Sequence, residues 1–179
     1  MAENSKRWEE IARRYRTYIK LEKRLSGNTV ESYMHDLAQF AHFVLRFWDI
    51  APRKVEPQMI ERYMAWLFDH GHKKSSQARA LSGLKSFFNY LLLTDVIETS
   101  PMEFIEAPKF GRRLPDVLST AEIDRIIAVI DRSSPKGMRD SAMLELLYSC
   151  GLRVSELVSL RLCDLFFGEG YIRVIGKGD

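Results

Sequence analysis

The chain is 179 residues long, 46% apolar and 28% charged, enough for one large domain or two small ones and too apolar for disorder. Its two cysteines, Cys150 and Cys163, exclude a disulfide scaffold or a four-cysteine zinc site; with no apolar leader and no membrane-length apolar stretch, a cytoplasmic protein without a membrane partner is expected. The net charge of +3 sits in residues 1–110, with 17 Lys and Arg against 14 Asp and Glu, while residues 111–179 hold 10 against 10. Such an excess suits nucleic acid without requiring it.

The first part reads as helices joined by short turns. Trp8, Ile11, Tyr15, Tyr18, Ile19 and Leu25 recur at helical spacing, and the run is expected to stop at Ser26-Gly27. Asn28 offers an N-cap, with Glu31 three residues on as a capping box. Behind it stand Val30, Tyr33, Leu37, Phe40, Val44, Leu45 and Trp48, the cleanest stripe in the chain. A third helix is predicted from Pro57, with Ile60, Tyr63, Met64, Leu67 and Phe68 inward and Gly71 as its stop. The fourth, over residues 75–94, is predicted to bury Ala78, Leu81, Leu84, Phe88, Leu91 and Leu92. Four such helices predict a helical domain over residues 1–95.

Residues 96–118 change character: Pro101, Pro108 and Pro115 fall seven apart among charged residues, which reads as a linker. A second domain is predicted over residues 119–179. Ser119-Thr120-Ala121-Glu122 is a capping box opening Ile123, Ile126, Ile127 and Ile130. Helices follow over 139–150, stopped by Gly151, and over 154–160. The pattern then switches to a strand at 165–167, a turn at 168–170 and a strand at 171–175. Residues 176–179 read as a turn that leads into another strand, so the second domain is expected to be incomplete. The fold class is mostly α, a helical domain followed by the start of an α+β one.

Two positions carry chemistry. Arg153 stands where one helix has ended and the next begins, beside exposed backbone N–H groups. A cation there is unfavourable by itself and becomes favourable when a phosphate joins it. The plainer reading is an arginine paired with Glu156, three residues on. Lys177 lies between two glycines, either a solvated turn lysine or an ammonium able to reach a phosphate and donate a proton to a leaving oxygen.

Residues 25–33 (LSGNTVESY), 79–88 (RALSGLKSFF), Ala107-Pro108-Lys109, Leu114-Pro115, Gly151 to Leu157 (GLRVSEL) and 174–178 (VIGKG) together resemble the tyrosine recombinase (phage integrase) family, most closely its bacterial Xer branch. The resemblance covers nearly the whole chain, and its last two segments are highly specific in combination. It implies a SAM-like core-binding domain followed by a catalytic domain, clamped around double-stranded DNA. Such enzymes break and rejoin strands through a 3′-phosphotyrosyl intermediate and work as homo- or hetero-tetramers on two duplexes. By that similarity Arg153 is the first catalytic arginine, Lys177 the hairpin lysine that protonates the leaving 5′-oxygen, and Glu156 a supporting acid. No metal or nucleotide cofactor is implied.

The family pattern also calls for a His/Lys-x-x-Arg box, a further His or Trp, and a nucleophilic tyrosine after the lysine. None of these follows Lys177 here, and none of the seven tyrosines has the nucleophile's context. The 179 residues alone are therefore expected not to cleave DNA. The resemblance further implies DNA contacts, mostly to phosphates, from Thr29 and Ser32 on the second helix and Arg79, Ser82 and Lys85 on the fourth. Lys73, Lys74 and Ser75 at the start of the fourth helix add to them, and Lys109, Arg112 and Arg113 cross the backbone in the connector. By themselves these residues read as a solvated helix face. Two other classes stay open, a non-catalytic DNA-binding module and an all-α protein-interaction module.

Overall fold

A computed structural model describes residues 2–106 and 116–176. It divides into two units, Met1–Arg112 and Arg113–Asp179. The first holds four helices: α1 (Ala2–Leu21), α2 (Gly27–Phe47), α3 (Pro57–Asp69) and α4 (Lys74–Leu93). Each buries one stripe at helical spacing, and the stripes meet in a core rich in aromatic rings. Tyr15, Ile19, Phe40, Ile60, Tyr63, Leu84, Phe87, Phe88 and Leu91 are wholly excluded from solvent.

Local chemistry sets the helix ends. α1 stops at Leu21 rather than at Ser26-Gly27, because Arg24 takes a left-handed conformation (φ 49°) and the Leu25 amide turns back to the Ile19 carbonyl. The cap of α2 is Ser26, not Asn28: its hydroxyl accepts the Thr29 amide at 3.3 Å. Glu31, freed from the expected capping box, pairs instead with Arg16 at 2.6 Å. Pro57 opens α3, and Gly71 (φ 75°) turns the chain so that the His72 amide reaches the Leu67 carbonyl. Phe68, placed inward by the sequence pattern, is 65% exposed on the outer side of α3.

α4 is the central helix, buried on most of its circumference. Its inward residues include Phe87 and Tyr90, whereas Ala78 and Leu92 are only half-buried. Gly83 lets α2 come close, since a Cβ there would stand 3.3 Å from the Tyr33 ring. The first residues of the expected linker, 96–118, are anchored to the helical unit. Ile97, Met102 and Ile105 pack onto the helical core, and Met102 is almost fully buried.

The second unit contains α5 (Thr120–Ala128), α6 (Pro135–Cys150), α7 (Val154–Ser159) and an antiparallel hairpin of β1 (Leu165–Phe166) and β2 (Tyr171–Ile172). Ser119 and Glu122 form a reciprocal capping box on α5. α6 begins four residues earlier than the pattern suggested, because Ser134 caps the Gly137 amide and Pro135 suits the first turn. The strands are shorter than expected. Phe167 joins the turn, where Glu169 and Gly170 both donate to the Phe166 carbonyl, and residues 173–176 find no partner strand among the described residues. Leu165 pairs with Ile172 and Phe166 with Tyr171, the latter two stacking at 4.5 Å.

Candidate functional site

The side of α4 left out of the core carries Arg79, Ser82, Lys85 and Asn89, all exposed, with Ser86 half-buried beside them. Asp36 of α2 faces Arg79, and Tyr33 faces Gly83. The two helices therefore run antiparallel, and Thr29 and Ser32, both half-buried, fall toward the Lys85–Asn89 end of the strip. Small hydroxyl and basic side chains on a shared ridge let a polyanion approach closely.

The turn before α4 brings Lys73, Lys74 and Ser75 to the surface. It is pinned from inside by the buried side chain of Gln77, which donates to the His72 carbonyl at 2.8 Å. Lys73 occupies the cap position without a side-chain acceptor, so the positive end of a 20-residue helix meets two ammonium groups. Lys109, Arg112, Arg113 and Lys177 lie outside the described residues.

The pair beneath this face escaped sequence reasoning. Arg79 Nη2 donates to Asp36 Oδ1 at 3.2 Å; the Asp36 side chain is 3% exposed and that of Arg79 48%. Burial pushes the Asp36 carboxyl up, against the opposing pull of Arg79, His35 and His72. The available signal was a carboxylate standing inside the apolar stripe of α2.

In the second unit Gly151 takes the left-handed conformation (φ 63°) that ends α6, and Arg153 becomes the cap residue of α7. Glu156 accepts the Arg153 amide at 2.8 Å through Oε2 and the Arg153 Nη1 at 2.6 Å through Oε1. Arginine has no acceptor to return, so this is half a capping box closed by an ion pair. The Glu156 side chain is largely covered at 12% exposure, while that of Arg153 is 70% exposed. One carboxylate thus holds the guanidinium in place and leaves most of it open to solvent.

The Arg153 amide first, and then its guanidinium, hold the Glu156 carboxyl below its ordinary value. A carboxyl lowered in the folded state adds stability that is present above its unfolded pKa and lost as pH falls through the folded one. We expect α7 to fray below about pH 4, seen as loss of amide protection over Val154–Ser159. Full protection at pH 3 would contradict it.

Beside α7 a shallow pocket of about 270 Å³ is lined by Glu156, Ser159, Arg161, Asp164, Arg173 and Ile175, among others. Arg173 grips Asp164 through Nη2 at 2.7 Å and Nε at 3.1 Å, which fastens β2 to the turn before β1. This second arginine–carboxylate pair was also missed, since the partners are nine residues apart and meet only through the hairpin. Val174 and Ile175, just before Lys177, share the pocket wall with Glu156. Among the described residues no cluster of His, Cys, Asp or Glu could hold a metal ion. No described helix is long and apolar enough to cross a membrane.

The tyrosines divide by burial. Tyr15 and Tyr63 lie in the core, and burial pushes the Tyr15 hydroxyl up to about 12. Tyr18 and Tyr90 face each other at 5.0 Å, Tyr33 packs under Gly83, and Tyr171 stacks on Phe166. Tyr148 is exposed on α6.

Two family models match the sequence in chain order. Residues 12–94 match the phage integrase N-terminal SAM-like domain, and residues 116–179 match the phage integrase family. The chain belongs to the tyrosine recombinase (phage integrase) family. The four-helix part of the chain is accordingly SAM-like, and Arg153 falls within the second matched segment. Tyrosine recombinase XerD of Listeria monocytogenes is 38% identical over 167 residues, covering 90% of this chain and 55% of that protein. XerD of Shewanella oneidensis is 43% identical over 156 residues, covering 87% and 52%. The chain therefore spans about half the length of the curated relatives it matches. The Tn1549 transposon integrase, solved in complex with circular intermediate DNA, shares the fold at a TM-score of 0.62 and 18% identity, over 88% of this chain and 51% of that one.

Proposed function

We propose that these residues serve a site-specific DNA recombinase, binding the double-stranded recombination site and supplying part of its phosphoryl-transfer machinery. The observation that carries the reading is Arg153: capped into α7, held by Glu156, and 70% exposed within the segment that matches the integrase family. In this reading Arg153 neutralises charge on the non-bridging oxygens as a tyrosine oxygen bonds to phosphorus. The 5′-oxygen departs with a proton from Lys177, and Glu156 keeps the Arg153 fork in position. Positioning and charge neutralisation are what phosphoryl transfer asks of a protein.

The helical unit takes the duplex backbone along Thr29, Ser32, Lys73, Lys74, Ser75, Arg79, Ser82 and Lys85, with Lys109, Arg112 and Arg113 crossing it in the connector. The Tn1549 likeness in fold supports this placement. Further protomers complete the working assembly, a homo- or hetero-tetramer in the cytoplasm, as suits a recombinase acting on DNA. The domain plan is a core-binding part over 1–95, a connector over 96–118 whose first residues pack against that part, and catalytic residues from 119 on. The 179 residues alone are expected to cleave no DNA, because Tyr15 and Tyr63 are buried in the core and none of the other five tyrosines stands in the nucleophile's sequence context.

The test is titration of a fluorescent duplex bearing a recombination site at 50 and 200 mM salt. With the four described cations each on a phosphate, affinity is expected to fall about 10²-fold over that range. The same chain on a nicked duplex is expected to give no covalent adduct. A flat salt response would remove the DNA reading, and an adduct would show a nucleophile among these residues.

A further inference from the structure

Among the described residues Asp36 is the one charged side chain that is buried. It stands in mid-α2, far from either helix end, so it caps nothing. Oδ1 takes the single bond from Arg79, and Oδ2 is buried without a hydrogen-bond partner. A carboxylate in this position is harder to keep than an apolar residue of similar size, since desolvation opposes it and one oxygen stays unsatisfied. Core packing therefore does not account for it. What it does hold is a half-exposed guanidinium on the ridge shared by α2 and α4.

We propose that Asp36 is a positioning residue for DNA binding, anchoring Arg79 by one N–H so that the remaining donors of its planar fork meet a phosphate in a fixed orientation. The proposal rests on the reading of that ridge as the DNA surface. It makes Arg79 a directional contact rather than a mobile charge, because a guanidinium fixed at one nitrogen keeps its plane. At 3% exposure the carboxylate itself presents almost no negative surface to a polyanion.

Charge and positioning predict opposite signs. Replacing Asp36 removes a negative group, which by charge alone tightens DNA binding. Positioning predicts weaker binding despite the added positive charge. Stability separates a structural role in the same way. In Asp36→Leu the buried charge is gone and Arg79, already half-exposed, returns to water, so melting temperature holds or rises. Arg79→Ala leaves the carboxylate buried and unpaired, so melting temperature falls.

The experiment uses the full 179-residue chain and a duplex bearing a recombination site at fixed salt, with thermal melting of every variant. Asp36→Asn is expected to weaken binding a few-fold and Asp36→Leu about tenfold, without loss of stability. Arg79→Lys, which keeps the charge and loses the fork, is expected to weaken binding about as much as Asp36→Leu. Asp36→Leu with Arg79→Ala is expected to bind no more weakly than Arg79→Ala alone. Equal or tighter binding by Asp36→Leu would overturn the proposal, as would a parallel loss of stability and affinity or a full additional loss in the double variant. If Arg79→Ala binds as the parent does, or the parent shows no salt-dependent binding, the DNA reading of the ridge has itself failed.

Discussion

Phe40→Ala is expected to destabilise the helical unit by about 3–5 kcal/mol, the usual cost of emptying a fully buried phenylalanine site. Phe40 sits on α2 and touches every other helix of the unit. Its ring meets Trp8 of α1 edge-on at 6.0 Å, Tyr63 of α3 at 5.1 Å and Phe88 of α4 at 6.2 Å. Removing it deletes three ring contacts and leaves a hole whose walls belong to three separate helices. Those walls cannot close together, because Trp8 is tied to the Ile50 carbonyl at 3.0 Å and Tyr63 to Gln39 at 3.1 Å. A loss of this size is a large share of the stability of a small domain. Urea unfolding followed by tryptophan fluorescence checks it, since Trp8 reports from the site. Phe40→Leu should recover most of the midpoint, leaving about 1 kcal/mol for the lost ring geometry. A midpoint for Phe40→Ala equal to that of the parent would mean the rings are not the core's common contact. The same contacts seat α2 against α4, so the ridge that carries Arg79 and Lys85 depends on this packing.

Much of that arrangement was legible in the sequence, and the reasons differ from helix to helix. α2 and α3 were readable because a one-sided apolar stripe has a single solution as a surface helix. α4 was readable as a helix but not as the central one. Phe87 and Tyr90 flank the narrow stripe, and only contact with helices on several sides buries them. The cap of α5 was written in Ser119-Thr120-Ala121-Glu122, whereas the start of α2 was not: Ser26 and Asn28 are both good caps, and it is Ser26 that takes the Thr29 amide.

Site residues follow the same division. Arg153 and Glu156 form a pair three apart in sequence, so local spacing predicted their meeting. Asp36 with Arg79 and Asp164 with Arg173 meet only after helices or strands have packed, and composition carries no mark of either. The place of Asp36 inside the stripe of α2 hints that it is covered, but which cation meets it is decided only when α4 packs against α2.

The second unit makes its sharpest demand at Gly137, and Gly137→Ala is expected to cost it about 3 kcal/mol, at the upper end of overpacking penalties. Gly137 is buried in the first turn of α6, where its amide is held by Ser134 at 3.1 Å. A Cβ added there would lie 1.8 Å from the Asp131 carbonyl oxygen and 2.8 Å from its carbon. Those are backbone atoms, so no side-chain rotation relieves the clash. Either α6 starts later or the turn from Asp131 to Ser134 opens. The turn has its own hold, as Asp131 accepts the Ser133 amide at 2.9 Å, and moving it breaks that bond as well as the cap. The expected signature is separable from damage elsewhere, because Trp8, Trp48 and Trp66 all lie in the first unit. Tryptophan-monitored unfolding should keep its midpoint while hydrogen exchange over Pro135–Cys150 speeds up. Since α6 ends at Cys150, only three residues before the Arg153 cap, loosening its start should also raise exchange in α7. Parent-like protection across α6 in the variant would show that the turn yields without cost, and Gly137 would then be a preference rather than a requirement.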